Sequence, residues 1–240
     1  MRFENKVAVV ASSGGSIGLA CVEALQEEGA RVAFLGSDSG EVTALSAGPQ
    51  LLPLKVKDFT DEDEMQKNAD TILAQFGTID VLVTALTCPP PEGAWNELSE
   101  EMLHNTLDAI LTGSWLTVKY MMRPMVEKKS GRIVLITSVA GRTGVRGSSP
   151  ITTAAYAGLG GIIRDVATVF GKDSITANGV AVGPIEGQYF EPEAAASVSG
   201  VLNRPGTGRD VAEAVMYLAD EHGAWNTGEI VDLNGGFFAV

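Results

Sequence analysis

Short apolar runs alternate with stretches of helical spacing along the whole chain. The run at 7–10 is rich in β-branched residues and is bounded by polar ones, which is typical of a strand buried on both faces. Residues 17–28 then carry apolar side chains at helical spacing. The same alternation continues to the end of the chain and predicts strands at 7–10, 31–35, 51–56, 79–85, 132–137, 175–182 and 229–233.

Helices are predicted between most of these strands. The first covers 17–28, and the second begins at the acidic run Thr60-Asp61-Glu62-Asp63. The others cover 99–128, 152–170 and 210–219. Strict alternation with buried strands indicates a doubly wound parallel sheet with helices on both faces, a Rossmann-like α/β fold. We expect one domain over 1–240. The stretch 183–208 lacks clear periodicity and is predicted to be a lid or substrate loop.

Composition narrows the class of partner. A chain of 240 residues is long enough for one sizeable core. Its net charge of -13 argues against a nucleic-acid partner and against an anionic membrane surface. Cys21 and Cys88 cannot form a disulfide framework, so we expect a reducing cytoplasm. We expect no transmembrane helix, no signal peptide and no metal site, because the sequence shows none of their patterns.

The first strand leads into a turn of small residues and then into a helix. The turn reads Ala11-Ser12-Ser13-Gly14-Gly15-Ser16-Ile17-Gly18. In this context the backbone can approach a pyrophosphate closely, and the helix N-terminus offers free N–H groups to anionic oxygen. The turn does not match the G-x-G-x-x-G pattern. It therefore predicts either a dinucleotide site or a tight connection that only the fold requires.

Further segments share the pattern of one protein family. They are Asn5-Lys6-Val7-Ala8-Val9-Val10 with Ile17-Gly18-Leu19-Ala20, Asp58-Phe59-Thr60-Asp61, 131–141, 157–185 and 227–236. Over nearly its full length the chain thus resembles a short-chain dehydrogenase/reductase. The resemblance implies descent from an oxidoreductase that uses NAD or NADP on small carbonyl or alcohol substrates. It also implies cofactor contacts at Ser12, Gly14, Ser16, Ile17, Gly18, Asp58, Phe59, Pro184 and Ile185.

The cofactor region departs from the family pattern. The family opens its turn with Thr-Gly and continues with Gly-Ile-Gly, whereas this chain has Ser12 and Ser16 at two of those glycine positions. The family's Asn-Asn-Ala-Gly appears as Thr84-Ala85-Leu86-Thr87. Gly36 and Ser37 offer neither a carboxylate for a ribose hydroxyl nor an arginine for a 2′-phosphate, so the sequence does not choose between NAD and NADP.

The catalytic positions depart further. The family uses a Tyr, a Lys four residues later, an upstream Ser and an Asn. Aligned on Ala157-Gly158-Leu159, this chain has Thr152 in place of the Tyr and Tyr156 in place of the Lys. A shift of four would move Tyr156 to the Tyr position, but it would break the gap-free match and leave Gly160 at the Lys position.

Two further positions complete the comparison. Ile110 falls at the Asn position, and Ser138 alone matches. The Thr152 hydroxyl is far too weak an acid to replace an activated phenol near neutral pH. We therefore predict altered roles for Ser138, Thr152 and Tyr156 in a divergent active site. Tyr156 alternatively packs under the pocket, and Ser138 alternatively serves as a structural hydroxyl at a strand end.

Whether the chain is an enzyme stays open at this level. It is either an oxidoreductase by descent, a non-redox enzyme in the vacated pocket, or a catalytically silent binding partner or subunit of a hetero-oligomer. The ligand is expected to be a small molecule, and Arg142 and Arg146 would suit an anionic one unless they lie on a solvated loop. Tyr189 and Phe190 are candidates to cap the pocket.

A homo-dimer or homo-tetramer is expected. The predicted helix 99–128 contains Trp115 and Met121-Met122 and resembles the helices that pair subunits in the family. The chain also ends on the apolar run Gly236-Phe237-Phe238-Ala239-Val240, which suggests burial against a partner subunit. Trp95 and Trp115 are predicted to be core or interface residues.

Overall fold

The computed structural model describes residues 1–37, 39–45, 47–145, 148–188 and 200–238. Within them, seven parallel strands form one sheet in the order β3-β2-β1-β4-β5-β6-β7. The predicted Rossmann-like α/β fold is confirmed. The strands are β1 (Val7–Ser12), β2 (Arg31–Gly36), β3 (Leu51–Lys55), β4 (Val81–Ala85), β5 (Gly131–Ser138), β6 (Ile175–Val182) and β7 (Ile230–Leu233).

Helices connect the strands on both faces of the sheet. In the described residues they are α1 (Ser16–Glu27), α2 (Ser39–Ala44), α3 (Glu62–Phe76), α4 (Glu100–Leu107), α5 (Gly113–Met121), α6 (Arg123–Lys128), α7 (Pro150–Phe170) and α8 (Gly208–Ala219). The pattern of apolar positions did not predict α2, because six residues are too few to display a helical period.

The single helix predicted over 99–128 is interrupted in the structure. A π-helical segment, Asp108–Thr112, separates α4 from α5, and α5 ends before α6 begins at Arg123. Pro124 stands in the first turn of α6, where its missing N–H needs no acceptor. Ile110 lies in the π-helical segment with its side chain fully buried in the core. Ile110 therefore adds to the packing of the core.

Both faces of the sheet are covered, which explains the continuous apolar runs of the strands. Along β1, Val7, Val9 and Ala11 pack into one core cluster, while Ala8 and Val10 pack into the other. This is the alternation of side chains that a strand imposes. The first cluster lies under α3, α5 and α7, and the second under α1 and α8.

The structure shows which of the large apolar residues named above are exposed and which are buried. Met121 and Met122 are buried inside this chain and are not surface residues. Trp95 is 78% exposed, so it is not a core residue, and Trp115 is 49% exposed. No helix in the described residues is long and apolar enough to cross a membrane. Arg146, Tyr189, Phe190, Ala239, Val240 and the segment 189–199 of the predicted lid loop lie outside the described residues.

The sheet topology fixes where a ligand can bind. The chain order reverses between β1 and β4, whose carboxyl ends lie side by side with Ser12 opposite Ala85. In open α/β sheets, ligands bind in the crevice outside the strands at such a switch point. The turn after β1 and the segment after β4 therefore form the floor of the expected site.

The close contact between α8 and α1 supports this turn. A Cβ added to Gly208, the first residue of α8, would lie 2.4 Å from the backbone oxygen of Ser16. We expect Gly208→Ala to lower the free energy of unfolding by about 1–3 kcal/mol, because backbone atoms must move to admit the methyl group.

The control is Gly161→Ala in α7, where an added Cβ meets nothing within 4 Å. It should raise the unfolding free energy by about 0.5–1 kcal/mol through helix propensity alone. Denaturant titration of both variants tests the contact. Equal effects of the two substitutions would contradict it.

Candidate functional site

Ser13 and Thr87 join the two strands at the switch point. The Thr87 backbone N–H donates to Ser13 Oγ at 2.8 Å, and Ser13 Oγ donates to the Thr87 carbonyl oxygen at 2.6 Å. One hydroxyl thus satisfies both backbone groups of Thr87. Because β1 and β4 do not pair beyond Ser12 and Ala85, these bonds continue the connection outside the sheet. The sequence motifs did not single out Ser13.

Thr87 in turn holds the hydroxyl of Tyr156. The two hydroxyl oxygens are 2.7 Å apart. Tyr156 lies in α7, and its backbone carbonyl accepts a hydrogen bond from Thr137 Oγ1 at 3.2 Å. A phenol therefore stands between α7 and the segment after β4, and its oxygen is engaged by a neutral hydroxyl.

A cavity of about 420 Å³ opens beside these residues. Its volume lies within the range of about 300–1,000 Å³ that small-molecule pockets occupy. The wall is mostly apolar and includes Ile17, Leu86, Ile136, Val139, Val145, Val182, Ile185 and Phe237. Its polar part consists of the Gln188 carboxamide and of hydroxyl groups from Thr87, Thr137, Ser138, Ser148, Ser149, Thr152 and Tyr156.

Two of these hydroxyls are buried without a hydrogen-bond partner in the part of the chain that is described. They belong to Ser149 and Thr152, and both residues line the cavity. Ser149 occupies the N-cap position of α7, yet its side chain caps no N–H of that helix. An unsatisfied buried hydroxyl is costly, and in a native structure it calls for an explanation such as a bound molecule.

The described lining contains no carboxylate, imidazole, ammonium or guanidinium group. Cys88 also lines the cavity, and burial raises the pKa of its thiol, opposed in part by a hydrogen bond with Thr106. A thiol with a raised pKa is a poor nucleophile near neutral pH. The described lining therefore offers hydroxyl groups, one carboxamide and apolar surface.

The predicted catalytic residues come together. Ser138, Thr152 and Tyr156 all line the cavity, although the sequence places them on two different elements. Ser138 also has a structural task, because its Oγ accepts a hydrogen bond from the Ala140 N–H at 3.2 Å. Ser138 therefore has a structural hydrogen bond and also lines the cavity. The roles of the three residues in a reaction remain predictions.

The predicted cofactor contacts are spread more widely. Ile17, Pro184 and Ile185 line the cavity. Asp58 and Phe59 do not: the Asp58 carboxylate accepts hydrogen bonds from the N–H and hydroxyl of Thr60, and Phe59 is buried in the core. The remaining predicted contacts, Ser12, Gly14, Ser16 and Gly18, belong to the turn and to the start of α1.

Arg142 does not line this cavity. Its guanidinium forms an ion pair with Asp232 at 3.2 Å, on a separate concavity that Arg164 also lines. Among the described residues, no group of acidic, histidine or cysteine side chains could hold a metal ion. The structure therefore gives the cavity no described cationic group for an anionic ligand.

Three N–H groups of the turn, those of Gly14, Gly15 and Ser16, are hydrogen-bonded within the chain. The Gly15 N–H donates to Glu41 Oε1 at 2.9 Å, and the Gly14 N–H donates to Ser12 Oγ at 3.2 Å. The Ser16 N–H points to the Gly187 carbonyl at 3.4 Å. Glu41 comes from α2, which the sequence pattern did not predict.

Comparisons with known proteins agree with the fold. A family model described as enoyl-(acyl carrier protein) reductase matches residues 11–238. The chain is 31% identical over 249 residues to the 3-oxoacyl-(acyl-carrier-protein) reductase of Escherichia coli, covering 100% of both chains. It is also 31% identical over 247 residues to the cis-4-hydroxycyclohexanecarboxylate dehydrogenase of Sinomonas cyclohexanicum, covering 99% of this chain and 98% of that one.

Solved structures give the same relation. A short-chain dehydrogenase/reductase from Serratia marcescens superimposes with a TM-score of 0.91 at 27% identity over 100% of both chains. The chain belongs to the short-chain dehydrogenase/reductase family.

The turn does not fit the pyrophosphate of the dinucleotide that the family relation implies. Such a group needs free N–H donors at the helix N-terminus. Here the N–H groups of Gly14 and Gly15 are taken by Ser12 and by the Glu41 carboxylate. A carboxylate also repels a second anion at the same place.

The Ser13–Thr87 contact can be tested by its contribution to stability. Ser13→Ala would leave the Thr87 N–H without its acceptor, and we expect it to lower the free energy of unfolding by about 1–3 kcal/mol. Ser130→Ala, on an exposed side chain without a described hydrogen bond, is the control and should change it by no more than about 0.5 kcal/mol. Urea titration distinguishes the two. A Ser13→Ala variant as stable as the control would contradict the linkage.

Proposed function

We propose that this protein is a divergent short-chain dehydrogenase/reductase whose cavity binds a small, neutral, largely apolar molecule. In this proposal the standard Tyr/Lys hydride-transfer catalysis is not assembled. The observation that carries it is the pair of buried hydroxyls of Ser149 and Thr152, which line the cavity without partners in the described chain. A carbonyl or hydroxyl group of a ligand would supply the missing hydrogen bonds.

The chemistry of the neighbouring groups supports this assignment. Proton transfer to a carbonyl oxygen requires a positioned acid, and a phenol serves only when a nearby positive charge lowers its pKa. At the aligned positions this chain has the Thr152 hydroxyl and the Tyr156 phenol, and the phenol is hydrogen-bonded to Thr87. The described lining supplies no ammonium group to activate either of them.

A second candidate follows from the relatives. The two curated proteins compared above are named as a dehydrogenase and a reductase, which favours an NAD- or NADP-dependent oxidoreductase of small carbonyl or alcohol compounds. Ser138 would then orient the substrate oxygen, with Tyr156 in an altered role. We rank this candidate second because of the Thr152 and Tyr156 side chains and the occupied N–H groups of the turn.

Self-association is a further part of the proposal. Trp115 on α5 is 49% exposed, and Lys119 stacks over its ring at 5.2 Å. An indole exposed on a helix aligned with the pairing helices of the family supports a homo-dimer or homo-tetramer.

A matched pair of probes tests the ligand class. We expect 4-phenyl-2-butanone, a neutral ketone, to raise the melting temperature of the protein. The carboxylate of similar size, 4-phenylbutyrate, should leave it unchanged, because the cavity has no described cation to pair with it. Thr152→Val should weaken the response to the ketone by removing a hydrogen-bonding group. Thr71→Val, on an exposed part of α3, serves as the control and should preserve the response.

An assay of oxidoreductase turnover distinguishes the two candidate functions. The protein would be mixed with NADH or NADPH and a ketone or 3-oxoacyl thioester, and nicotinamide absorbance would be followed. We expect the rate of nicotinamide oxidation with the protein to equal the rate measured without it. Saturable turnover that disappears in Ser138→Ala would instead establish the second candidate.

A further inference from the structure

The glycine turn is shaped to present N–H groups, and it presents one of them to a side chain of the same protein. Gly14 and Gly15 have φ angles of 119° and 96°, which only glycine adopts readily. In this conformation the Gly15 N–H meets Glu41 Oε1 at 2.9 Å. The turn therefore has a backbone conformation that suits anion binding. The anion at the Gly15 N–H is the Glu41 carboxylate of α2.

A second element closes the same turn. Ser16 Oγ donates to the Glu186 carbonyl oxygen at 2.5 Å, and the side-chain oxygen of Gln188 lies 2.1 Å from where a Cβ of Gly15 would stand. The segment 186–188 thus lies directly on the turn. A backbone hydrogen bond also holds this segment, because the Glu186 N–H donates to the Gly206 carbonyl oxygen at 2.9 Å. Two elements far apart in sequence cover the start of α1.

Two arginines in the described part of the chain, Arg204 and Arg209, form ion pairs with neighbouring carboxylates. Arg204 makes two contacts with the Asp210 carboxylate, at 2.7 and 2.9 Å. Arg209 contacts Glu27 at 2.7 Å and Glu213 at 2.8 Å. Because these guanidinium groups are paired, neither offsets the repulsion between Glu41 and a pyrophosphate brought to the turn.

We propose that Glu41 is an internal anion that occupies the phosphate-binding turn and excludes the pyrophosphate of a dinucleotide. Glu41 is then a specificity-determining residue of this family member. It satisfies the turn that the fold retains, and it leaves the adjoining cavity to ligands that carry no nucleotide. This inference goes beyond the proposed function, which concerns only the cavity and its catalytic positions.

Calorimetric titration with NADH and NADPH tests the proposal. We expect the wild-type protein to show no saturable heat up to about 1 mM dinucleotide. Glu41→Ala should bind at least one of the two more tightly than wild type by about tenfold or more, which corresponds to about 1.4 kcal/mol, the scale of one hydrogen bond to a charged group. Glu41→Gln keeps the shape of the side chain and should give a smaller gain.

The control is Glu23→Ala, which removes the same charge from an exposed position of α1 for which no contact is described. It should behave as wild type, which separates the local effect of Glu41 from a change in net charge. Equal affinities of wild type, Glu41→Ala and Glu23→Ala, including no binding by any of them, would overturn the proposal. Saturable binding of either dinucleotide to wild type would also overturn it.

The two proposals fail separately. Dinucleotide binding to wild type without turnover would remove the role of Glu41 and leave the proposed function in place. Wild-type turnover lost in Ser138→Ala would remove the proposed function.

Discussion

The hydrogen bonds between Ser13 and Thr87 hold together the two chain segments on which the candidate site depends. They lie just past Ser12 and Ala85, the last paired residues of β1 and β4. Thr87 is thereby fixed, and it fixes the Tyr156 hydroxyl on α7. Three segments of the chain meet through this short series of contacts, and the cavity opens beside it. The position of the cavity follows from the sheet topology, but its polar character follows from these side chains.

A common theme links the turn and the cavity. In the turn, N–H groups that could meet an external anion are hydrogen-bonded to Ser12 and Glu41. In the cavity, the hydroxyls of Ser149 and Thr152 have no such partner in the described residues. An unsatisfied buried polar group is costly. A molecule that forms hydrogen bonds with these two hydroxyls in the cavity would therefore gain more binding free energy than an anion at the turn. We therefore propose a ligand in the cavity and no phosphate in the turn.

The extent to which sequence predicted this structure varies with the range of the interaction. Strand and helix positions were predictable because burial on both faces imposes apolar runs, as in β1, and because helical spacing is local. The family relation, and the expectation that Ser138 and Tyr156 belong to one site, followed from motif positions. Glu41 could not be predicted, since α2 is too short to display a period and its contact with Gly15 spans 26 residues. The π-helical segment around Ile110 was likewise hidden inside a continuous helical pattern.

The Gly14 and Gly15 N–H groups of the turn find their acceptors within the chain itself. The most direct test is the amide resonance of Gly15, followed by NMR in isotope-labelled protein with and without NADH or NADPH. The account predicts a Gly15 amide that is protected from exchange, that shifts in Glu41→Gln, and that does not respond to either dinucleotide. A saturable change of the Gly15 and Ser16 amides on adding NADH or NADPH to the wild-type protein would contradict it.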